Sequence, residues 1–486
     1  MRHTLLPTLL LCTGLGMAQS NDTNPLYEEP LRPQYHFSPA HRWIGDPCGL
    51  VHFDGRFHAY SWGAAESDDL VHWEEINSNA ISGTPKGIGQ FTGSVVVDRW
   101  NSAGYGENAF IAAFTSFDEA SKKQSQSIAH SHDGGRTFMY YDLNPVIDTW
   151  STEFRDPTVI RDEAHGRWVM AVAKALEKKV AFYGSADLKH WEWLSDFGPA
   201  GDSEKSWECP DLFQLPVEGH PGMKKWVLVV SVNWSKEQYF TGEFDGTQFI
   251  PDCRDCGPLY VDKGLDYYAS RTFQDYDGTL PAAYSIGWVS TWDYAQHVPT
   301  TYGQGVWSLP RALYLRETPG GLRLIQKPAE KLKSLRGKEG RIRTRLKPGA
   351  TRLKALSEMG NQYEIRASFT TDTFGFNLCA GDGKKLTLSY DTDSHTLLLD
   401  RTNSSAAEIP AFERIAFTKI EPIDGTLELD IFVDKSVVEI YANGGEAVMT
   451  ALVFPDEAKS SGAEVFSLGS NTTMTAYYYP ISSIWK

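Results

Sequence analysis

From about residue 35 onward, apolar residues fall in short runs separated by turns rich in Gly, Asp and Asn. Long stretches with apolar residues every 3.6 positions, which a helical bundle or doubly wound fold requires, are missing. The runs predict β-strands, and they repeat. Ser67-Asp68-Asp69-Leu70-Val71-His72-Trp73 returns as Ser185-Ala186-Asp187-Leu188-Lys189-His190-Trp191. A looser copy starts at Ser131 and ends on Phe138, and Phe244-Asp245-Gly246-Thr247-Gln248-Phe249 follows the same plan. Each is a polar turn closing on an aromatic that returns to a core. The first three copies start at 67, 131 and 185, which are 64 and 54 residues apart. Aromatic-ended hairpins at such a period read as four-stranded propeller blades. Residues 35 to 320 leave room for five.

Near Pro328 the pattern changes. Residues 327–354 carry eleven Lys/Arg and two Glu, a charge run read as a solvated connector. Beyond it, 362–369, 384–390, 396–400, 427–433 and 436–442 alternate apolar with polar positions between Gly and Asp turns. Such alternation predicts half-buried antiparallel strands, here a sandwich. The expected class is all-β: a five-bladed propeller over 19–325, a linker over 326–354, and a β-sandwich over 355–486.

Composition sharpens this picture. Aromatic residues make up 13% of the 486, which suits β-structure and stacking platforms for sugars. The net charge of −16 argues against nucleic acid and anionic membranes as partners. Residues 1–18 have the form of a signal peptide: Arg2 and His3, an apolar run from Leu5 to Leu15, and small residues Gly16 and Ala18 before cleavage. A secreted, extracellular protein is expected, monomeric or homodimeric. Without Cys12, five cysteines remain, so at least one is free or pairs between chains. Cys253 and Cys256 are spaced for a small disulfide or for two thiols. Asn21, Asn233, Asn403 and Asn471 head glycosylation sequons.

The candidate chemistry lies in three acids beside prolines: Asp46 in Trp43-Ile44-Gly45-Asp46-Pro47-Cys48-Gly49, Asp156 in Arg155-Asp156-Pro157, and Glu208 in Glu208-Cys209-Pro210. A residue before proline is pushed towards extended backbone, which stiffens the turn carrying each acid. Paired carboxylates are what glycoside hydrolysis needs. Asp46, on the stiffest turn, is the nucleophile candidate. Glu208 follows Trp207, which is expected to desolvate it, and suits the proton donor. Asp156 follows Arg155, which favours an ionised carboxylate able to grip sugar hydroxyls.

These motifs resemble those of glycoside hydrolase family 32, the β-fructofuranosidases: invertases, inulinases and levanases. The family's W-M-N-D-P-N-G, F-S-G-S, R-D-P and E-C-P are similar to residues 43–49, 91–94, 155–157 and 208–210. Residues 238–246, 288–300, 400–404 and 438–445 resemble further family segments. The resemblance implies a propeller plus sandwich and a retaining mechanism. Asp46 would be the nucleophile, Glu208 the acid/base and Asp156 the transition-state stabiliser. Trp43, Trp62, Phe91, Thr92, Arg155, Asn233 and Trp292 would meet the substrate. It implies an oligo- or polysaccharide substrate, a fructan, and no metal or organic cofactor.

The chain also departs from the family. Gly45 and Cys48 replace two Asn residues, and residues 58–63 lack a family segment that supplies a Gln and a Trp to the sugar pocket. Three readings follow: an exo-acting β-fructosidase, a retaining glycosidase or fructosyltransferase of unusual specificity, or a glycan-binding propeller without catalysis.

Overall fold

The computed structural model of the chain describes residues 25–485, save 255, 371, 372, 470 and 471. The signal-peptide stretch and the sequons at Asn21 and Asn471 lie outside the described residues. Strands dominate, and the described helices are short turns, the longest Glu330–Leu335.

Five sheets form the propeller. The inner strands of blades I to V are Gly49–Phe53, Ile88–Asp98, Phe154–Asp162, Trp207–Pro216 and Tyr268–Thr272. Each leads outward through antiparallel neighbours. The ring closes where Gln274–Asp275, just past the blade V inner strand, pairs with the blade I inner strand. The repeated polar turns are the hairpins between the third and fourth strands. Asp69 Oδ1 accepts the amides of Val71 and His72, and Asp187 Oδ1 those of Lys189 and His190. These Asp-centred turns tolerate the tight reversal because the carboxylate replaces backbone partners. Trp73, Phe138 and Phe249 then return to the core.

The C-terminal domain is a sandwich of two six-stranded sheets around one apolar core. All five segments read from alternation are strands there. The connector expected over 326–354 is corrected. The outermost blade V strand runs Gly321–Pro328, and Gly340–Arg345 and Gly349–Arg352 are edge strands, one in each sandwich sheet. Gly340–Arg345 pairs with Thr473–Pro480, a partner more than a hundred residues away. Its arginines alternate with half-buried residues, so the positive charge marks the solvent face of a strand.

Polar side chains seal the two domains together. Arg311 of blade V bonds Glu439 of the sandwich (2.9 Å) and Asp262 (3.0 Å). His36, entering the propeller, sits between Asp434 (2.8 Å) and Glu439 (3.2 Å). Arg401 of the sandwich pairs with Asp266 of the propeller. All these groups are buried, so each charge is matched rather than solvated.

Cys253 and Cys256 form a disulfide, while Cys48, Cys209 and Cys379 are buried free thiols.

Candidate active site

One end of the propeller gathers the three acids, because each lies at or just before the start of an inner strand. Asp46 precedes the blade I strand, Asp156 is near the start of the blade III strand, and Glu208 is near the start of the blade IV strand. A β-bulge recurs just there. Pairing slips between Gln90 and Gly93, Arg155 and Thr158, Glu208 and Asp211, and Tyr268 and Arg271. Asp156, Cys209 and Ala269 sit within three of these bulges at φ of 64°, 47° and 52°. The expectation of extended backbone before Pro157 and Pro210 is therefore overturned. The bulge bends each strand and re-aims its side chains, and non-glycine residues in this region mark stored strain.

Asp46 is asymmetric. Its Oδ2 accepts the Thr92 hydroxyl (2.6 Å) and faces the Cys209 thiol (3.6 Å). Its Oδ1 is buried with no hydrogen-bond partner. Burial pushes the carboxyl up to about 6, against the Thr92 hydrogen bond, with the nearby Glu208 charge adding to the rise. Cys209 links Asp46 to Asp156: its amide donates to Asp156 Oδ2 (3.1 Å) and its thiol lies 3.5 Å from the same oxygen.

Arg155 behaves differently from the sequence expectation. Its guanidinium gives Nε (3.0 Å) and Nη2 (2.8 Å) to Glu208 Oε1 and Nη1 to Glu153 (2.7 Å), and lies 4.0 Å from Asp156. Burial consequently outweighs Arg155, and Asp156 is raised to about 7 rather than held in the ordinary carboxylate range. Trp207 does not desolvate Glu208 either. Neighbours on a strand face opposite ways, and Trp207 packs beside Phe197 and Phe240 with its indole N–H on Asp202 O (2.7 Å). Glu208 is enclosed by Arg155 and by Tyr268, whose hydroxyl donates a short hydrogen bond to Oε2.

Tyr268 and Arg271 belong to this centre and were missed. Arg271 is buried, and its Nη1 donates to Thr158 Oγ1 and Pro210 O. It opposes the upward shifts of Asp46 and Asp156. Their signal was weak: a Tyr and an Arg in a strand read as an ordinary strand face.

The aromatic positions divide. Trp43, Trp288 and Trp292 form a cluster with ring centroids 5.0 to 5.9 Å apart, beside Tyr268 and Cys209. Phe91 stacks on Phe117 at 4.7 Å. Trp62 is buried at 8% exposure, edge-on to Phe114, and its N–H supports Phe91 O (2.7 Å). It braces the wall from beneath. Asn233 is occupied too: its amide donates to Asp202 (2.8 Å) and accepts from the Lys205 amide (2.8 Å). A side-chain carbon at Gly45 would lie 3.1 Å from Trp43 Nε1, so the indole packs closely over the bare Gly45 backbone. Among the described residues no group of His, Cys, Asp or Glu is arranged to hold a metal ion.

Three carboxylates gathered at one end of the propeller beside a tryptophan cluster, one with a bare oxygen and one flanked by proton-bearing groups, define a glycoside-hydrolase type of site. The chain belongs to glycoside hydrolase family 32: residues 36–328 match the glycosyl hydrolases family 32 N-terminal domain and residues 331–480 its C-terminal domain. It is 35% identical to a levanase of Bacillus subtilis over 520 residues, spanning all of this chain and 76% of the relative. It is 32% identical to an extracellular exo-inulinase of Aspergillus niger across 99% of both chains. The crystal structure of exo-inulinase from Aspergillus awamori superposes with a TM-score of 0.87 at 32% identity, covering 94% of this chain and all of that one.

Proposed function

We propose that the protein is a secreted, retaining exo-β-fructosidase that releases fructose from fructans and sucrose-type fructosides. The bare, buried Oδ1 of Asp46 carries this reading. An unsatisfied buried carboxylate oxygen is costly, and a nucleophile needs one oxygen clamped and one free. Thr92 clamps Oδ2; Oδ1 faces the reacting carbon.

In the first step protonated Glu208 gives its proton to the glycosidic oxygen. The bond from that oxygen to the anomeric carbon breaks, and Asp46 Oδ1 bonds the carbon. In the second, Glu208 takes a proton from water while the water oxygen displaces Asp46. Asp156 binds fructosyl hydroxyls as positive charge develops on the ring. Tyr268 and Arg155 fix both oxygens of Glu208. The signal-like residues 1–18 and the extracellular relative support secretion.

The test is the configuration of the first-released sugar, followed in real time, with Asp46→Asn beside wild type. Retention with turnover lost in Asp46→Asn supports the proposal. An inverted product, or an active Asp46→Asn protein, overturns it.

A further inference from the structure

Trp150 is 82% exposed, more than the other exposed tryptophans Trp292, Trp100 and Trp193 at 39%, 45% and 59%. Single exposed apolar residues are normal on a protein surface. Trp150 differs in being held. Its backbone adopts φ of 59°, outside the range tryptophan prefers. The turn is fixed because its amide donates to Asp148 Oδ1 (2.8 Å). The other oxygen of Asp148 binds Lys123 Nζ (2.7 Å), and that ammonium lies 4.2 Å from the centre of the indole. One ring face rests on a cation and the other is open to solvent.

The position of this ring is set by the strand directions. Every acid stands at the starting end of an inner strand, and Trp150 precedes the blade III strand by four residues, so it stands at the same end. Lys123 belongs to the hairpin joining Ala109–Asp118 to Gln124–Ser131, which turns at that end as well. The loop is tied to the site. The Gln124 amide donates to Ser151 O (2.8 Å), Gln124 Oε1 accepts the Phe154 amide (2.9 Å), and Glu153 holds Arg155 (2.7 Å), the partner of Glu208. Trp150 is five positions before Arg155, so their Cα atoms lie within about 18 Å of each other. The stacked Phe91–Phe117 pair stands next to Thr92, which bonds Asp46.

We propose that the open face of Trp150 is a stacking platform for a fructosyl unit remote from the cleaved bond, on the leaving-group side of a polymeric substrate. The inference rests on the β-fructosidase reading above. A furanose ring presents C–H groups on one face, which suit the negative face of an indole. The cation beneath holds the ring without covering that face. A fructan extends beyond the two rings of sucrose, so the platform should favour polymer over sucrose. The platform adds affinity without touching the reacting atoms, so it acts on KM for long substrates.

The experiment compares Trp150→Ala and Trp150→Phe with wild type on sucrose, 1-kestose, inulin and levan. The expected result is about a tenfold fall in the ratio of polymer to sucrose kcat/KM for Trp150→Ala, carried by KM. Trp150→Phe, which keeps a ring, should recover most of it. An unchanged ratio in Trp150→Ala, a fall carried by kcat alone, or a wild type that gains nothing from polymer over sucrose overturns the platform. Fructose release by Asp46→Asn would instead overturn the catalytic reading, so the two failures are distinguishable.

Discussion

The Thr92 hydroxyl donates a 2.6 Å hydrogen bond to Oδ2 of Asp46, joining the start of blade I to the start of blade II. That bond favours the ionised carboxylate against burial, which pushes Asp46 up to about 6. Asp46 must be ionised to attack, so activity should rise with pH through about 6. Thr92→Val removes the donor and should move this acid limb of kcat/KM upward by about one to two units, since a hydrogen bond to a charged group contributes roughly 1.5–3 kcal/mol. A pH–rate profile checks this; an unmoved limb would detach Thr92 from the chemistry.

Arg271 acts on the same carboxylate without touching it. It is a buried cation whose charge opposes the rise of both Asp46 and Asp156. Arg271→Met keeps much of the volume and removes the charge. The acid limb should again move up, and the protein should lose stability, because Thr158 Oγ1 and Pro210 O lose their donor. Profiles of the single and double variants with Thr92→Val test whether the shifts add. A limb that stays in place in Arg271→Met would refute the electrostatic role.

Glu208→Gln should abolish turnover of substrates with poor leaving groups and spare an activated aryl fructoside in its first step. The acid is needed where the departing oxygen requires a proton, and much less where it does not. Pre-steady-state release of the aryl group, followed by slow turnover, is the expected signature. Equal losses on both substrates would point to another proton donor.

His36 ties stability to pH. Burial pulls its imidazole down, but hydrogen bonds to Asp434 and Glu439 prevail and raise it from 6.5 to about 8. The folded state therefore holds the proton more tightly than the unfolded chain. This stabilisation is full below about pH 6.5, of the order of 2 kcal/mol, and is lost as pH rises through about 8. Glu439 works in the opposite direction. Despite burial, Arg311 and His36 lower it to about 2, so its contribution is present above about 4.5 and lost as pH falls through about 2. Tm measured from pH 5 to 9 should drop across 7 to 9 in wild type, and His36→Gln should flatten that drop. A parallel drop in both proteins would place the pH sensitivity elsewhere.

The specificity shell leads to a further expectation. The indole of Trp43 occupies the space beside Gly45, and Trp62 is buried beneath Phe91. Polar partners for the terminal fructosyl unit are thus fewer, each lost bond costing about 0.5–1.5 kcal/mol. Efficiency should climb from sucrose to longer fructo-oligosaccharides. A flat series would show that other residues replace the missing partners.

Much of this was legible in the chain itself. The polar turns ending on aromatics are local features, since an Asp carboxylate and its own next amides decide them, and they gave the blades. The alternation past residue 360 gave the sandwich strands for the same reason: side-chain direction in a strand has a period of two. The acid motifs stood out because Pro and Gly constrain the backbone beside them. Tertiary structure decided what depends on distant partners. Gly340–Arg345 is a strand only because Thr473–Pro480 lies alongside it. Trp207 turned from Glu208 while Tyr268, sixty residues on, closed over it. Arg155 was drawn to Glu208 rather than to its neighbour Asp156, and burial then set the proton affinity of Asp156 against the sequence expectation. Desolvation is a property of everything packed around a group, and no stretch of sequence contains its own surroundings.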